Sequence, residues 1–232
     1  MKKRNAFTLA EVLITLGIIG IVAAMTLPSL IKNYQQSVIN QQFKRVYSQL
    51  SNALVMVEPK LGYKLACNEN GSSLWSQECY KLRDVLFKEI LPVIKTCEGN
   101  ALRDGCLPKE SYKGNDTLYI EKNPDASEED KNDNLEYINT NCRYFTKSSI
   151  ETQNYIYVMN DGTIYILYGT LPTILTVDVN GTKKPNKWGY DMFTFVLRSD
   201  IKKPLYVPYD KSGCAPIDKG GKTTQQMFDE VF

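Results

Sequence analysis

The chain has 232 residues, of which 28 are lysine or arginine, 26 are aspartate or glutamate and none is histidine. This length fits a membrane anchor together with one domain of ordinary size. The nearly balanced charge gives no strong nucleic-acid signal, and the lack of histidine excludes histidine acid–base chemistry and histidine-ligated zinc.

An apolar run near the start of the chain predicts a membrane span. Basic residues at 2–4 precede 25 residues, from Phe7 to Ile31, in which Glu11 is the only charged side chain. About 20 apolar residues cross a bilayer, whereas the apolar region of a secretory signal peptide has about 7 to 15. Basic residues ahead of a span keep that end in the cytoplasm. We therefore expect a transmembrane helix over 7–31 and an extracytoplasmic domain over 32–232.

The carboxylate of Glu11 needs an explanation within this run. An ionised side chain at the centre of a spanning helix costs about 2.5 to 3.5 kcal/mol and is normally paired. Glu11 therefore either stays hydrated near the membrane surface or has a cationic partner.

The residues around Glu11 resemble a known targeting signal. Ala6 precedes Phe7, and the chain then reads Phe-Thr-Leu-Ala-Glu before an apolar run that contains two glycines and Pro28. This order resembles the prepilin-type signal of type IV pilins and type II secretion pseudopilins, with Ala6 at the position where the family usually has glycine. The resemblance implies that a prepilin peptidase removes the leader 1–6 by cutting between Ala6 and Phe7, and that Phe7 is then N-methylated.

The same resemblance implies a role for Glu11 in assembly. Cleavage would give Phe7 a positive amine, and Glu11 of one subunit would lie beside the Phe7 amine of a neighbour in a helical filament. Opposite charges attract strongly where the dielectric constant is low, and leaving one unpaired there is costly. The expected partners are other pilin or pseudopilin subunits, the prepilin peptidase, an inner-membrane assembly platform and membrane lipid.

The resemblance also implies where the protein resides. The precursor is expected in the bacterial inner membrane as a single-pass protein with its C-terminal domain in the periplasm. The assembled subunit is expected in a filament at the periplasm or the cell surface.

Helical periodicity continues beyond the predicted span. Apolar residues recur at spacings of three and four as far as Val57, and Pro59 and Gly62 then favour a helix end. The second half of this helix should carry one apolar stripe, formed by Ile31, Tyr34, Val38, Ile39, Phe43, Val46, Tyr47, Leu50, Leu54 and Val57. A second short helix is expected over 82–93, interrupted near Pro92. The polar, acidic run 123–134 predicts an exposed loop.

The later part of the chain has the pattern of β-strands. Asn160-Asp161-Gly162 separates two apolar runs, 155–159 and 163–167, which predicts a hairpin, and 173–179 and 192–198 predict two more strands. An antiparallel sheet of about four strands would offer one apolar face to the helix. The predicted fold class is α+β and pilin-like, with a long N-terminal helix, membrane-spanning in its first half, packed on this sheet.

Six cysteines predict disulfide bonds rather than a metal site. None of them forms a CxxC pair, which argues against a zinc ribbon or a thioredoxin-like site. An even number on the extracytoplasmic side favours disulfides. Six cysteines allow 15 pairings, and we predict the pairing of neighbours: Cys67 with Cys79, Cys97 with Cys106, and Cys142 with Cys214.

A distinctive loop follows the third predicted strand. Residues 178–193 resemble the D-x-N-G, P-N, G-x-D-x-F loop of many pseudopilin-like proteins. In one interpretation the aspartates and asparagines bond to their own backbone, Gly181 and Gly189 adopt positive φ, and Pro185 fixes the turn.

In the other interpretation this loop binds calcium through Asp178, Asn180 and Asp191. Calcium prefers carboxylate, amide and carbonyl oxygens, and calcium loops in the major pseudopilin of type II secretion support this interpretation by resemblance. Two carboxylates are few for such a site, and the spacing is not that of an EF-hand. Calcium is the one cofactor that the sequence suggests.

Two functions are compatible with these observations. The chain has no nucleophile motif, catalytic metal cluster or phosphate-binding loop, so we do not expect an enzyme. The first hypothesis is a structural filament subunit. The resemblance implies that a major pilin is more compact than this chain, which favours a minor pilin or pseudopilin. The alternative is a signal-anchored extracytoplasmic binding domain that does not polymerise. Such an anchor would need neither Glu11 nor a cleavable bond between Ala6 and Phe7.

Overall fold

The computed structural model of the protein describes residues 8–64, 67, 77–108, 111, 147–169, 171–198, 204–210, 217–218 and 220–232. Ala6, Phe7, the acidic run 123–134, Cys142 and Cys214 lie outside these residues. The chain divides into two compact units, Met1–Asn40 and Gln41–Phe232. The bounds predicted for the leader, the span and the extracytoplasmic domain remain a prediction.

The long predicted helix is present as α1 (Leu9–Leu61). It ends at Gly62, which has a φ of 76° and donates its backbone N–H to the Glu58 carbonyl at 2.9 Å. Glycine suits this position because it adopts the left-handed conformation without a steric penalty. In the first unit the large apolar side chains from Leu9 to Ile31 are exposed, and this part of α1 is long and apolar enough to cross a membrane.

The second unit contains an antiparallel sheet whose spatial strand order follows the sequence. The six strands are β1 (Val93–Glu98), β2 (Tyr155–Met159), β3 (Ile164–Tyr168), β4 (Leu171–Asp178), β5 (Met192–Arg198) and β6 (Leu205–Pro208). The predicted hairpin joins β2 to β3, and Asp161 accepts a hydrogen bond from the Thr163 N–H across its turn. The α+β class, with a long helix packed on an antiparallel sheet, is confirmed.

Three short helices complete the described part of the second unit. They are α2 (Gln77–Asp84), which continues as a π-helical segment (Val85–Ile90), α3 (Lys147–Thr152) and α4 (Thr224–Val231). The first turn of α4 is well capped. Thr223 and Gln226 form a capping box there, and Asp210 accepts hydrogen bonds from the N–H groups of Thr224 and Gln225.

The sheet has six strands rather than the predicted four or so, because two strands were not recognised. The helix predicted to reach Val93 ends earlier, since Leu91 is extended at ψ 145° before Pro92, and a residue before proline disfavours the helical conformation. The chain then enters β1, which pairs with β2. The other unrecognised strand, β6, pairs with β5.

The sheet is also buried on both faces rather than on one. The part of the α1 stripe from Phe43 to Val57 packs on the first face, where the Phe43 ring lies 5.0 Å from the Phe193 ring between centroids. The predicted stripe members Ile31 and Tyr34 are instead exposed. The stacked rings of Phe87 and Tyr157 extend this face. The opposite face is covered by a second apolar cluster that includes Ile150 of α3 and Trp188. Two covered faces explain why β3 is buried along its whole length.

Two of the predicted disulfides are present. Cys67 is bonded to Cys79, and Cys97 to Cys106, which confirms these pairings. The second bond ties β1 to the segment that covers the sheet beside α3. The pairing of Cys142 with Cys214 stays a prediction.

Candidate functional site

The first turn of α1 places Glu11 in a local hydrogen-bond network with Thr8. One carboxylate oxygen of Glu11, Oε2, accepts bonds from the Thr8 N–H at 2.8 Å and the Thr8 hydroxyl at 2.7 Å. The Glu11 N–H in turn donates to Thr8 Oγ1 at 3.3 Å. This reciprocal pattern is a capping box, which satisfies N–H groups that have no partner within the helix.

The capping box bears on how the Glu11 carboxylate is stabilised within the apolar run. The sequence predicted that Glu11 is either hydrated or paired with a cation, whereas Thr8 supplies it with two hydrogen-bond donors. Threonine followed three residues later by glutamate is a recognisable sequence signal, so Thr8 could have been identified in advance. The predicted ion pair with the Phe7 amine of a neighbour is untested, because Ala6 and Phe7 lie outside the described residues.

The loop between β4 and β5 is built around two buried carboxylates. Asp178, the last residue of β4, accepts hydrogen bonds on Oδ1 from the N–H groups of Asn180 and Gly181 at 3.3 and 2.8 Å. Asp191, just before β5, accepts from the N–H of Asn186 on Oδ2 and from that of Lys187 on Oδ1, each at 2.7 Å. Both side chains have no exposed surface. The loop is therefore held from its inside by its own two acids.

A third acid, Asp218, also holds this loop and was not recognised in the sequence. Its side chain is buried, and Oδ2 accepts a hydrogen bond from the Trp188 N–H at 2.8 Å. The Asp218 N–H donates back to the Trp188 carbonyl. Because 30 residues separate the two partners, no local pattern could have predicted their contact.

Burial sets the electrostatics of the two carboxylates within the loop. Removal from water raises the pKa of Asp191 to about 6, although the bonds from the backbone N–H groups of Lys187 and Asn186 oppose this shift. Burial also raises the pKa of Asp178 well above its usual range, and the neighbouring charge of Asp191 adds to that shift. Both carboxyl groups therefore remain protonated up to a higher pH than exposed aspartates do.

Gly181 is required where this loop meets the β2–β3 turn. Its φ is 67°, in the left-handed region, and a Cβ atom placed on it would lie 1.9 Å from the carbonyl oxygen of Gly162. No side chain fits at that distance unless the backbone moves. The contact holds the β4–β5 loop close to the neighbouring turn.

The arrangement bears on the predicted calcium site. Asp178, Asn180 and Asp191 do come together, and the Asn180 side-chain oxygen is buried without a hydrogen bond. Three of the four carboxylate oxygens, however, already accept backbone N–H groups, whereas calcium takes six to eight oxygen ligands. Within the described ranges, no three histidine, cysteine, aspartate or glutamate side chains could hold a metal ion. Most of the carboxylate oxygens are thus already used within the loop, and calcium remains a prediction.

The fold and the first turn of α1 together define a class of protein. A long N-terminal helix that is apolar and exposed at its start, and packs on an antiparallel sheet further on, is the pilin-like architecture. Residues 1–27 match the family model described as the prokaryotic N-terminal methylation motif. This motif is the prepilin-type signal of type IV pilins and pseudopilins. No curated protein and no solved structure matches the chain.

The chain therefore carries, over residues 1–27, the signal found in precursors of type IV pilins and pseudopilins, and its exposed apolar helix fits an anchor in the inner membrane. The match covers the signal and the beginning of α1. The role of the second unit has to be argued from its own residues.

Substitution of Gly181 with alanine should destabilise the second unit more than the same change at Gly105. Both glycines have positive φ, which costs alanine about 1 to 2 kcal/mol. Only at Gly181 does the new methyl group meet backbone, because nothing lies within 4 Å of the Cβ position at Gly105. Denaturant unfolding of both variants, followed by circular dichroism, measures the difference. Equal losses of unfolding free energy would show that the contact with Gly162 is not restrictive.

The buried acids predict a dependence of stability on pH. Because folding raises the pKa of Asp191 from 3.8 to about 6, the folded state binds the proton more tightly than the unfolded state. The contribution is complete below about pH 4 and is lost as the pH rises through 6, with a slope of at most about 1.4 kcal/mol per pH unit for one proton. Unfolding curves of the wild type and of Asp191→Asn, measured from pH 4 to 7, should differ in this slope. Parallel curves would contradict the prediction.

The same measurement tests calcium. A bound dication favours ionised carboxylates, so millimolar calcium would raise the unfolding midpoint at pH 7 and reduce the loss of stability between pH 4 and 6. Asp178→Asn should abolish both effects. Curves that are identical with calcium and with a chelator would contradict a calcium site in this loop.

Proposed function

We propose that the protein is a minor subunit of a type IV pilus or type II secretion filament, which assembles through α1 after leader removal and N-methylation of Phe7. The observation that carries this proposal is the match of residues 1–27 to the methylation motif at the start of an exposed apolar helix. The length of the chain, 232 residues, favours a minor or specialised subunit over a compact major pilin.

The proposed organisation of the precursor follows from the same features. The leader 1–6 would be removed in the cytoplasm, residues 7–31 would span the inner membrane, and 32–232 would lie in the periplasm. The disulfides between Cys67 and Cys79 and between Cys97 and Cys106 support an extracytoplasmic location, because such bonds persist in oxidising compartments. The partners would be the prepilin peptidase, an assembly platform in the inner membrane and other subunits of the filament.

Assembly would use the exposed apolar surface of α1. Inside a bilayer this surface contacts lipid, and in a filament it would contact the helices of neighbouring subunits. The Glu11 carboxylate would add selectivity, since an unpaired charge in that packed environment costs several kcal/mol. A domain that is merely anchored would gain from Glu11 only the cap on the first turn of α1. The alternative of a non-polymerising binding domain is therefore distinguished by Glu11 and by cleavage.

Leader removal is the first test. Co-expression of the full chain with a prepilin peptidase should shorten it by residues 1–6 and leave an N-methylated Phe7, as measured by mass spectrometry of the intact protein. Co-expression with a catalytically inactive peptidase is the control. An intact amino terminus in both samples would contradict the pilin assignment.

Three substitutions separate the charge of Glu11 from its capping role. Glu11→Gln keeps a side-chain oxygen for Thr8 but removes the charge, Glu11→Ala removes both, and Thr8→Val removes the hydroxyl but leaves the charge. If Glu11 pairs with the Phe7 amine, both Glu11 variants should be recovered in sheared filaments at about one tenth of the wild-type level or less, since breaking a buried ion pair costs about 3 to 5 kcal/mol. Thr8→Val should remain near the wild-type level, since a helix cap contributes about 1 kcal/mol.

The reverse pattern would contradict the ion pair. Full recovery of Glu11→Gln together with loss of Thr8→Val would assign to Glu11 a capping role alone. Membrane insertion and intact disulfides, measured for each variant before shearing, show that the differences arise in assembly.

A further inference from the structure

The acidic and the basic side chains of the β4–β5 loop differ in their exposure to solvent. Its two acids, Asp178 and Asp191, are buried, while Lys183, Lys184 and Lys187 are exposed. We call these three side chains the loop lysines. Although the sequence of the segment mixes acids and bases, the charged side chains that the loop exposes to solvent are all basic.

The buried acids do not neutralise the loop lysines. The carboxylates of Asp178 and Asp191 accept backbone N–H groups inside the loop, and no loop lysine forms an ion pair with any residue that the structure describes. Lys187 lies over the Tyr190 ring at 5.9 Å, which leaves its charge in place. Several other surface cations do have acidic partners, and their nitrogen–oxygen distances are 2.8 Å for Lys60 and Glu89, 3.3 Å for Lys88 and Asp84, and 3.1 Å for Arg45 and Asp161.

The loop lies at the end of the second unit where α1 enters it, near Phe43. Phe43 packs on Phe193 and Tyr47 packs on Phe195, so β5 runs beside α1 in the same direction. The residues before β5 therefore lie at the Phe43 end of the sheet. The ion pair of Arg45 with Asp161 places the β2–β3 turn at this end too, and that turn contacts the β4–β5 loop through Gly181.

Chain connectivity limits how far this end can be from a membrane. Only residues 32–42 separate the predicted span, which ends at Ile31, from Phe43. Eleven residues reach at most about 40 Å even when they are fully extended. The headgroup layer itself extends about 5 to 8 Å beyond the hydrocarbon core. The loop lysines thus lie at the end of the second unit that the chain connects to the predicted span.

We propose that the loop lysines bind the headgroups of anionic phospholipids in the membrane that holds the precursor. Lysine binds phosphate as a point charge, and exposed basic residues near an anionic membrane surface each contribute to such binding. This docking would hold the domain at the membrane before assembly, and release from the headgroups would accompany extraction into a filament. The inference rests on the membrane-anchored precursor and is independent of polymerisation. It concerns the headgroups, whereas the apolar part of α1 contacts the acyl chains.

The test uses the full-length precursor, one chain in each lipid nanodisc. A photo-crosslinking amino acid replaces Thr182, which is exposed beside the loop lysines, and lipid adducts are quantified by mass spectrometry. Discs that contain phosphatidylglycerol should give at least about ten times more adduct than discs of phosphatidylcholine alone, because each lysine near an anionic surface strengthens docking about fivefold. High salt should remove the difference, since the charges are exposed.

Matched triple substitutions test the residues. Replacement of Lys183, Lys184 and Lys187 with glutamine should reduce the adduct in phosphatidylglycerol discs to the phosphatidylcholine level. A control triple variant changes the exposed side chains of Lys64, Lys81 and Lys88, which lie outside this loop, and should leave the adduct unchanged. Disulfide mapping and circular dichroism verify that both variants are folded.

Three outcomes would overturn the proposal. They are equal adducts in the two kinds of disc, an adduct that is insensitive to the loop lysines, and a crosslink in cell membranes to a protein in place of lipid. The last outcome would assign the basic surface to an acidic protein partner. Because the discs contain neither peptidase nor other subunits, their result does not depend on filament assembly. A negative result in the discs would contradict lipid binding. It would not change what the filament recovery of the Glu11 variants shows about assembly.

Discussion

The apolar surface of α1 is the constraint on which the rest of the structure depends. Within the second unit the stripe from Phe43 to Val57 is buried, and the aromatic rings of β5 pack against it. Between Leu9 and Ile31 the equally apolar side chains are exposed within the described chain. Exposed apolar surface of this extent is unfavourable in water, so the first part of α1 requires lipid or other chains around it. The same helix is therefore a core element in one half and an exposed apolar surface in the other.

Buried carboxylates stabilise the β4–β5 loop of the second unit. Asp178, Asp191 and Asp218 each accept hydrogen bonds from backbone N–H groups, and together they hold the connection between β4 and β5. A buried acid that accepts such bonds lowers the cost of leaving backbone groups without water. It also removes negative charge from the surface. The conformation of the loop and the basic character of its exterior thus have the same cause.

The sequence predicted those features whose signals are local and repeated. The spacing of apolar residues between Phe43 and Val57 identified α1 and its buried stripe, and Asn160-Asp161-Gly162 identified the β2–β3 turn. The neighbouring cysteines also pair as predicted in both bonds that the structure describes. In each case a few residues determine the outcome without help from distant parts of the chain.

The missed features depend on distant contacts or on weak patterns. β1 has mostly exposed side chains, and it is a strand because β2 provides a pairing partner about 60 residues further along the chain. β6 has four residues, too few for a recognisable alternation. Asp218 has no local signal for its bond to Trp188. Thr8 is different, because its spacing to Glu11 is a local capping signal. The sequence prediction missed it by considering only the charge of Glu11.

The two partners assigned to Glu11 are compatible with each other. Both hydrogen bonds from Thr8 end on Oε2, so among the described residues Oε1 has no hydrogen-bond partner. A carboxylate can therefore cap the first turn of α1 with one oxygen and receive an amine from a neighbouring chain on the other. The cap fixes the position and direction of the side chain before any neighbour arrives, which reduces the entropy lost when the ion pair forms. Thr8 fixes the direction of the carboxylate and Glu11 supplies the charge, so the local structure of this helix end would favour the proposed contact between subunits.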